Sequence, residues 1–150
     1  MFKIVVATDG SECAYKAAVY AGFLARIIED AEITILSVID AGAIAQASLP
    51  PEAIPVTLSE EMERAASEVL EDTRRKLLWT GKEITVRLGR GVPASVICDV
   101  AEKGKFDLVV MGSRGHGHIA GILLGSVSDK VLHTASVPVL IVRTKREHEK

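Results

Sequence analysis

The sequence predicts an open, doubly wound α/β fold: a five-stranded parallel sheet with helices on both faces. Three observations carry that expectation. Five short apolar runs recur along the chain, most of them β-branched and near-continuous rather than alternating. Strands covered by helices on both faces read that way, because neither side faces water. Helical patterns separate the runs, and the resulting β-α-β-α-β-α-β-α-β order calls for parallel strands joined by right-handed crossovers. The length, 150 residues with 48% hydrophobic, suits one domain over residues 1–150 whose core needs no staples.

The elements follow in order. Ile4 to Ala7 form the first strand, which runs into Thr8-Asp9-Gly10-Ser11. Ser11 is placed to cap a helix reaching about Asp30, with Ala14, Ala17, Ala18, Ala21, Leu24 and Ile28 on one small apolar face. Ile33 to Ile39 form the second strand. Residues 40–58 are a long irregular stretch rich in Ala and Pro, either a functional loop or a plain surface connection. A second helix spans about Ser59 to Trp79 and stops at Gly81. Ile84 to Leu88 alternate more than the other runs, as an edge strand does. Pro93 opens a third helix reaching about Lys103. Asp107 to Met111 form the fourth strand. A fourth helix runs from Ser126 to about Thr134, with Ser126 and Asp129 at capping-box spacing. Val137 to Val142 form the fifth strand, and the charged tail 145–150 is expected to fray.

Composition excludes several classes of function. Eighteen basic against twenty acidic residues give a net charge of −2, not the basic excess of a duplex nucleic-acid binder. Aromatics at 4% supply no stacking platform for single strands. No uninterrupted apolar run approaches the about 18 residues of a membrane span, and the amino terminus lacks the pattern of a signal peptide. The expected location is therefore the cytoplasm. Cys13 and Cys98 do not make a disulfide framework.

In open α/β sheets ligands bind beyond the carboxyl ends of the strands, where the winding reverses. The turns after the first and fourth strands therefore matter most. The second of these runs Gly112-Ser113-Arg114-Gly115-His116-Gly117-His118-Ile119-Ala120-Gly121 and reaches Gly125-Ser126 at a helix start. Five of the chain's twelve glycines fall between Gly112 and Gly125. Glycines let backbone approach a ligand, and a helix start adds N–H groups and the positive end of its dipole. Arg114, His116, His118 and the Ser126 hydroxyl add charge and a donor. The set favours a chain of phosphates, against the alternative of a flexible connection before an ordinary helix. A Walker A loop is absent. Gly115-x-Gly117-x-x-Ala120 matches a dinucleotide fingerprint only by chance, because no helix starts there. His116 and His118 lack a third partner for a metal site. Asp9 has a plainer alternative role, bonding to nearby backbone. Arg74-Arg75-Lys76 reads as a solvated face and Trp79 as a packing residue.

Gly112-x2-Gly115-x9-Gly125-Ser126 resembles the G-2x-G-9x-G-[S/T] signature of the ATP-binding branch of the universal stress protein family. Further family-like blocks stand in family order: Asp9-Gly10-Ser11, Gly91-x-Pro93-Ala94, Asp107 to Gly115, Leu124 to Ser128, and Pro138-Val139-Leu140. The resemblance covers about residues 2 to 143. It implies a Rossmann-like sheet in the order 3-2-1-4-5, with Cys13 and Cys98 on opposite faces, and a homodimer joined through the edge strand Val137–Val142. It implies an adenine nucleotide, ATP first, with Mg²⁺ or Mn²⁺. Ala7 and Thr8 would line the adenine side and the Val38 backbone would read the adenine edge. Asp9 would sit at the ribose and help hold the metal. Gly112, Ser113, Arg114, Gly115, His116, Gly117 and His118 would wrap ribose and phosphates, with Met111 beside them, and Gly125, Ser126 and Val127 would hold the terminal phosphates. The implied role is a nucleotide-dependent regulator or sensor in stress response. Alternatives are a slow ATPase, an enzyme that phosphorylates itself on Ser113, Ser126 or Ser128, or a nucleotide-free dimeric interaction module. No residue presents itself as a catalytic base.

Overall fold

The computed structural model describes residues 1–40, 42, 56–115 and 124–144. The elements are β1 (Phe2–Ala7), α1 (Glu12–Ile27), β2 (Ala31–Asp40), α2 (Val56–Lys76), a 3₁₀ turn (Leu78–Thr80), β3 (Ile84–Gly91), α3 (Pro93–Lys103), β4 (Leu108–Gly112), α4 (Ser126–Thr134) and β5 (Val139–Val142). All five strands are parallel, in the order β3-β2-β1-β4-β5, as the resemblance implies. β3, the alternating run, is an edge, and β5 is the other.

Alternate residues of the central strands enter two separate cores. Ile4, Val6, Ile33 and Ile35 meet the α1 alanines and Leu70 and Leu77 on one face. Val5, Ala7, Leu36, Val109 and Met111 meet Ala94, Ile97, Val100, Ala101 and Val131 on the other. Both faces are dry, which is why the runs do not alternate in polarity. The α1 face is nearly all alanine, so that helix lies close against β1 and β4. Ser11 caps it, its Oγ accepting from the Ala14 N–H at 3.2 Å, worth about 1 kcal/mol.

The boundaries differ from the sequence expectation where tertiary contacts intervene. α1 stops at Ile27 rather than near Asp30, because the chain must turn back there: the Asp30 carbonyl accepts from Phe2 N at 2.5 Å and opens the β1–β2 ladder. α2 begins at Val56, ends at Lys76 and passes into the 3₁₀ turn, which closes at Gly81 with φ +66°. The cap of α4 is Gly125, so Ser126 is the first helical residue and the expected Ser126–Asp129 capping box does not form. β5 starts at Val139, one residue after Pro138, whose carbonyl accepts from Val109 N. Arg74 and Lys76 pair with Glu71 and Asp72 on their own exposed helix face. Trp79 packs on Phe23 with ring centroids 5.0 Å apart. No helix among the described residues is long and apolar enough to cross a membrane.

Cys13 on α1 and Cys98 on α3 are free and belong to opposite faces of the sheet. Cys13 Sγ is packed against Gly112 and donates to the Val142 carbonyl at 3.5 Å. Burial pushes the Cys98 thiol up, with the Asp99 and Glu102 carboxylates adding to the shift. Mild oxidation should therefore give no intramolecular disulfide by mass spectrometry of the non-reduced protein. Cys98 should also alkylate more slowly than a free thiol at pH 8, because a raised pKa leaves less thiolate.

Candidate functional site

Each inner strand stays with its outer neighbour at its carboxyl end. β1 follows β2 through Ala7↔Leu36, and Thr8 N then donates to the Leu36 carbonyl at 2.9 Å. β4 follows β5 through Gly112↔Val142, and Ser113 N donates to the Val142 carbonyl at 2.9 Å. The β1–β4 ladder stops earlier, at Val6↔Val110. A cavity of about 650 Å³ opens at this split, within the range of small-ligand sites.

Its walls have two characters. Ala7, Leu36, Val38, Pro93, Ile97 and Met111 form an apolar end against β2 and the start of α3. Gly112, Arg114, Gly115, Leu124, Gly125, Ser126 and Val127 form the other end, at the β4 turn and the start of α4. Asp9, Asp40 and Asp129 bring carboxylates to the cavity, and Arg114 is the one cation among the described lining residues.

The structure thus gathers Ala7, Thr8, Asp9, Val38, Met111, Gly112, Arg114, Gly115, Gly125, Ser126 and Val127 around one cavity. Ser113 is set apart from them. Its side chain is buried beneath the turn, 3.6 Å from Cys13 Sγ, while its carbonyl accepts from Gly125 N at 2.6 Å. His116, Gly117 and His118 lie outside the described residues. Sequence reasoning missed Asp40, Leu36 and Ile97. The rule that ligands lie beyond strand carboxyl ends would have flagged Asp40, two residues past Val38.

Asp9 has an internal role as well as a cavity position. Its Oδ1 accepts from Ser11 N at 2.9 Å, and its Oδ2 lies against the Gly115 Cα. The helix cap is Ser11, not Asp9. Among the described residues no cluster of three or more metal-ligating side chains exists. Asp9, Asp40 and Asp129 are the described cavity carboxylates that could ligate a divalent ion.

The three signature glycines answer to different constraints. A Cβ on Gly112 would press on the Cys13 backbone and Sγ at 2.9 to 3.0 Å, so glycine there lets α1 lie close. A Cβ on Gly115 would overlap Asp9 Oδ2, and Gly115 is not among the positive-φ glycines, which are Gly10, Gly81 and Gly91. Gly125 has φ −70° and room: a Cβ would meet Ser113 O at 3.4 Å and Arg114 Cα at 3.5 Å, ordinary contacts. Serine or aspartate would cap α4 better than glycine does. Among the described residues nothing accounts for glycine at 125, whose missing side chain leaves space in the cavity. Its N–H is already given to Ser113, so the orphan donors at this helix start are those of Ser126, Val127 and Ser128.

An open, doubly wound sheet with such a cleft at its switch point defines a Rossmann-like protein. The chain belongs to the universal stress protein family, whose model matches residues 1–143. It is 36% identical over 145 residues to universal stress protein MJ0531 of Methanocaldococcus jannaschii, covering 97% of this chain and 84% of the relative. Among solved structures, MJ0577 of the same organism, whose biochemical function was assigned from its structure, superposes with a TM-score of 0.83 at 29% identity over 96% of each chain. A universal stress protein solved in complex with cAMP superposes with a TM-score of 0.68 at 29% identity, over 95% of this chain and 97% of the other.

Urea unfolding should rank the glycine variants. Gly112→Ala should cost about 2 kcal/mol, because backbone and a packed sulfur must move. Gly115→Ala should cost about 1 kcal/mol as the Asp9 carboxylate swings off Ser11. Gly125→Ser should be within about 0.5 kcal/mol of wild type, because the lost space is repaid by a better cap.

Proposed function

We propose that this protein binds an adenine nucleotide, ATP first, in the switch-point cleft, and acts in the cytoplasm as a homodimeric regulator or sensor in stress response. The observation that carries the reading is Gly125. It leaves space that no described residue fills, beside the N–H groups of Ser126 and Val127, in a cavity that Arg114 also lines. Terminal phosphates fit that space and that charge. The apolar end suits a base, with Ala7 and Thr8 along it and the Val38 backbone at its edge, and Asp9 stands between the two ends for the ribose and a metal. The cAMP complex of a relative supports an adenine ligand in this fold. Among the described lining residues, three carboxylates against one guanidinium also argue that a triphosphate enters with a divalent cation rather than bare.

A regulator fits better than an enzyme. Asp9 Oδ1 accepts from the Ser11 N–H, and we assign a base role to none of the cavity carboxylates, Asp9, Asp40 or Asp129. Ser113 and Ser128 are buried, so a self-phosphorylating reading would rest on Ser126, which is exposed.

Calorimetric titration of the purified protein with ATP, AMP, cAMP and GTP tests the proposal. ATP with Mg²⁺ should bind in the micromolar range, and omitting Mg²⁺ should weaken it by about tenfold or more. Gly125→Ser should weaken it by at least about tenfold at unchanged stability. Silence with every adenine nucleotide, or unchanged affinity in Gly125→Ser, would sink the reading.

The dimer is proposed through β5. Pro138 and Val142 turn their carbonyls inward to β4, so the backbone groups of Val139 and Ile141 point to the open edge. Leu140 and Ile141 pack on opposite cores, so a lysine at either would damage the subunit as well as any interface. Sedimentation equilibrium at micromolar concentration is the cleaner measurement and should give the dimer mass. A monomer persisting at high concentration would remove edge pairing and leave the cleft untouched.

A further inference from the structure

At the split between β1 and β4, Gly112 lies two residues beyond the last β1–β4 pair, Val6↔Val110. Its buried carbonyl therefore has no strand partner on that side. Ser128 supplies one. Its side chain is only 3% exposed, and its Oγ donates to Gly112 O at 2.8 Å across sixteen residues of sequence. A serine inside a helix commonly bonds back to its own preceding turn or faces water. This one reaches out of α4 to the end of β4. With the Gly125 N–H on Ser113 O, two bonds fasten the first turn of α4 to the two residues that open the glycine turn.

We propose that Ser128 is a positioning residue for the phosphate end of the cleft. Its hydroxyl is committed to Gly112. What it sets is where the Ser126 and Val127 N–H groups stand relative to Gly115 and Arg114. Without it the Gly112 carbonyl is left buried and unpaired, and the first turn of α4 shifts or water enters to satisfy it. Hydrogen bonds to an anion weaken steeply with distance and angle, so phosphate recognition suffers first. The apolar end of the cleft, held by β1, β2 and α3, does not depend on this bond.

The inference rests on the adenine-nucleotide reading of the cleft, and the test separates the two. Wild type and Ser128→Ala are titrated with Mg²⁺-ATP and with adenosine, which has the base and ribose but no phosphate. Ser128→Ala should lose about tenfold in affinity for Mg²⁺-ATP and less than about twofold for adenosine. In parallel, amide exchange should quicken at Gly125 and stay unchanged in α3. Should wild type bind Mg²⁺-ATP while Ser128→Ala loses nothing, or loses both ligands equally, the positioning role is overturned and the nucleotide reading stands. Should wild type bind neither ligand, the nucleotide reading falls and takes this role with it.

Discussion

The carboxyl end of this sheet is organised by one constraint: a central strand cannot stay paired with two neighbours that diverge. β1 keeps its ladder with β2 as far as Leu36, and β4 keeps its ladder with β5 as far as Val142. The seam between β1 and β4 must therefore open after Val6 and Val110. The cleft, the exposed turn at Asp9 and a Gly112 carbonyl left without a strand partner all follow from that opening. α4 brings the orphan N–H groups of its first turn to the rim, while α3 contributes Pro93, which has no N–H, and Ile97, above a gap lined by apolar strand residues.

The centres of the elements were legible in the sequence and their ends were not. Runs such as Ile4 to Ala7 and Ile33 to Ile39 announce burial on both faces, because apolar residues stand at successive rather than alternate positions along them. The alanine stripe of α1 announces a closely packed helix. Ends depend on partners far away in sequence. The stop of α1 at Ile27 reflects the Asp30 carbonyl meeting Phe2, and the cap of α4 falls on Gly125 because Ser113 claims its N–H. Of the site, the glycine turn and Asp9 could be read from spacing. Ile97 and the reach of Ser128 could not, since only the closed fold brings α3 and α4 to one cavity with the strand ends.

A motif spaced along the chain hides unlike reasons for its invariant letter. Gly112 is small for the sake of α1, Gly115 for the sake of Asp9, and Gly125 for neither. The first two shape the cleft from behind by letting its walls approach each other. The third leaves the gap itself. Treating such a signature as a uniform phosphate cradle would assign to ligand contact what is, at two of its positions, ordinary internal packing.

The alanine face of α1 has a further consequence. Alanine has no rotamers, so the contact between α1 and the sheet offers no alternative packing to exchange for the present one. The Asp9-Gly10-Ser11 turn that leads into this helix is in effect bolted to the sheet. α4 is shorter, nine residues, and its first turn is held to β4 by two hydrogen bonds. The cleft therefore has a stiff jaw and a compliant one. Accommodation of a bulkier or more charged occupant must be taken up on the α4 side, and the Asp9 side serves as the fixed reference against which that movement is made.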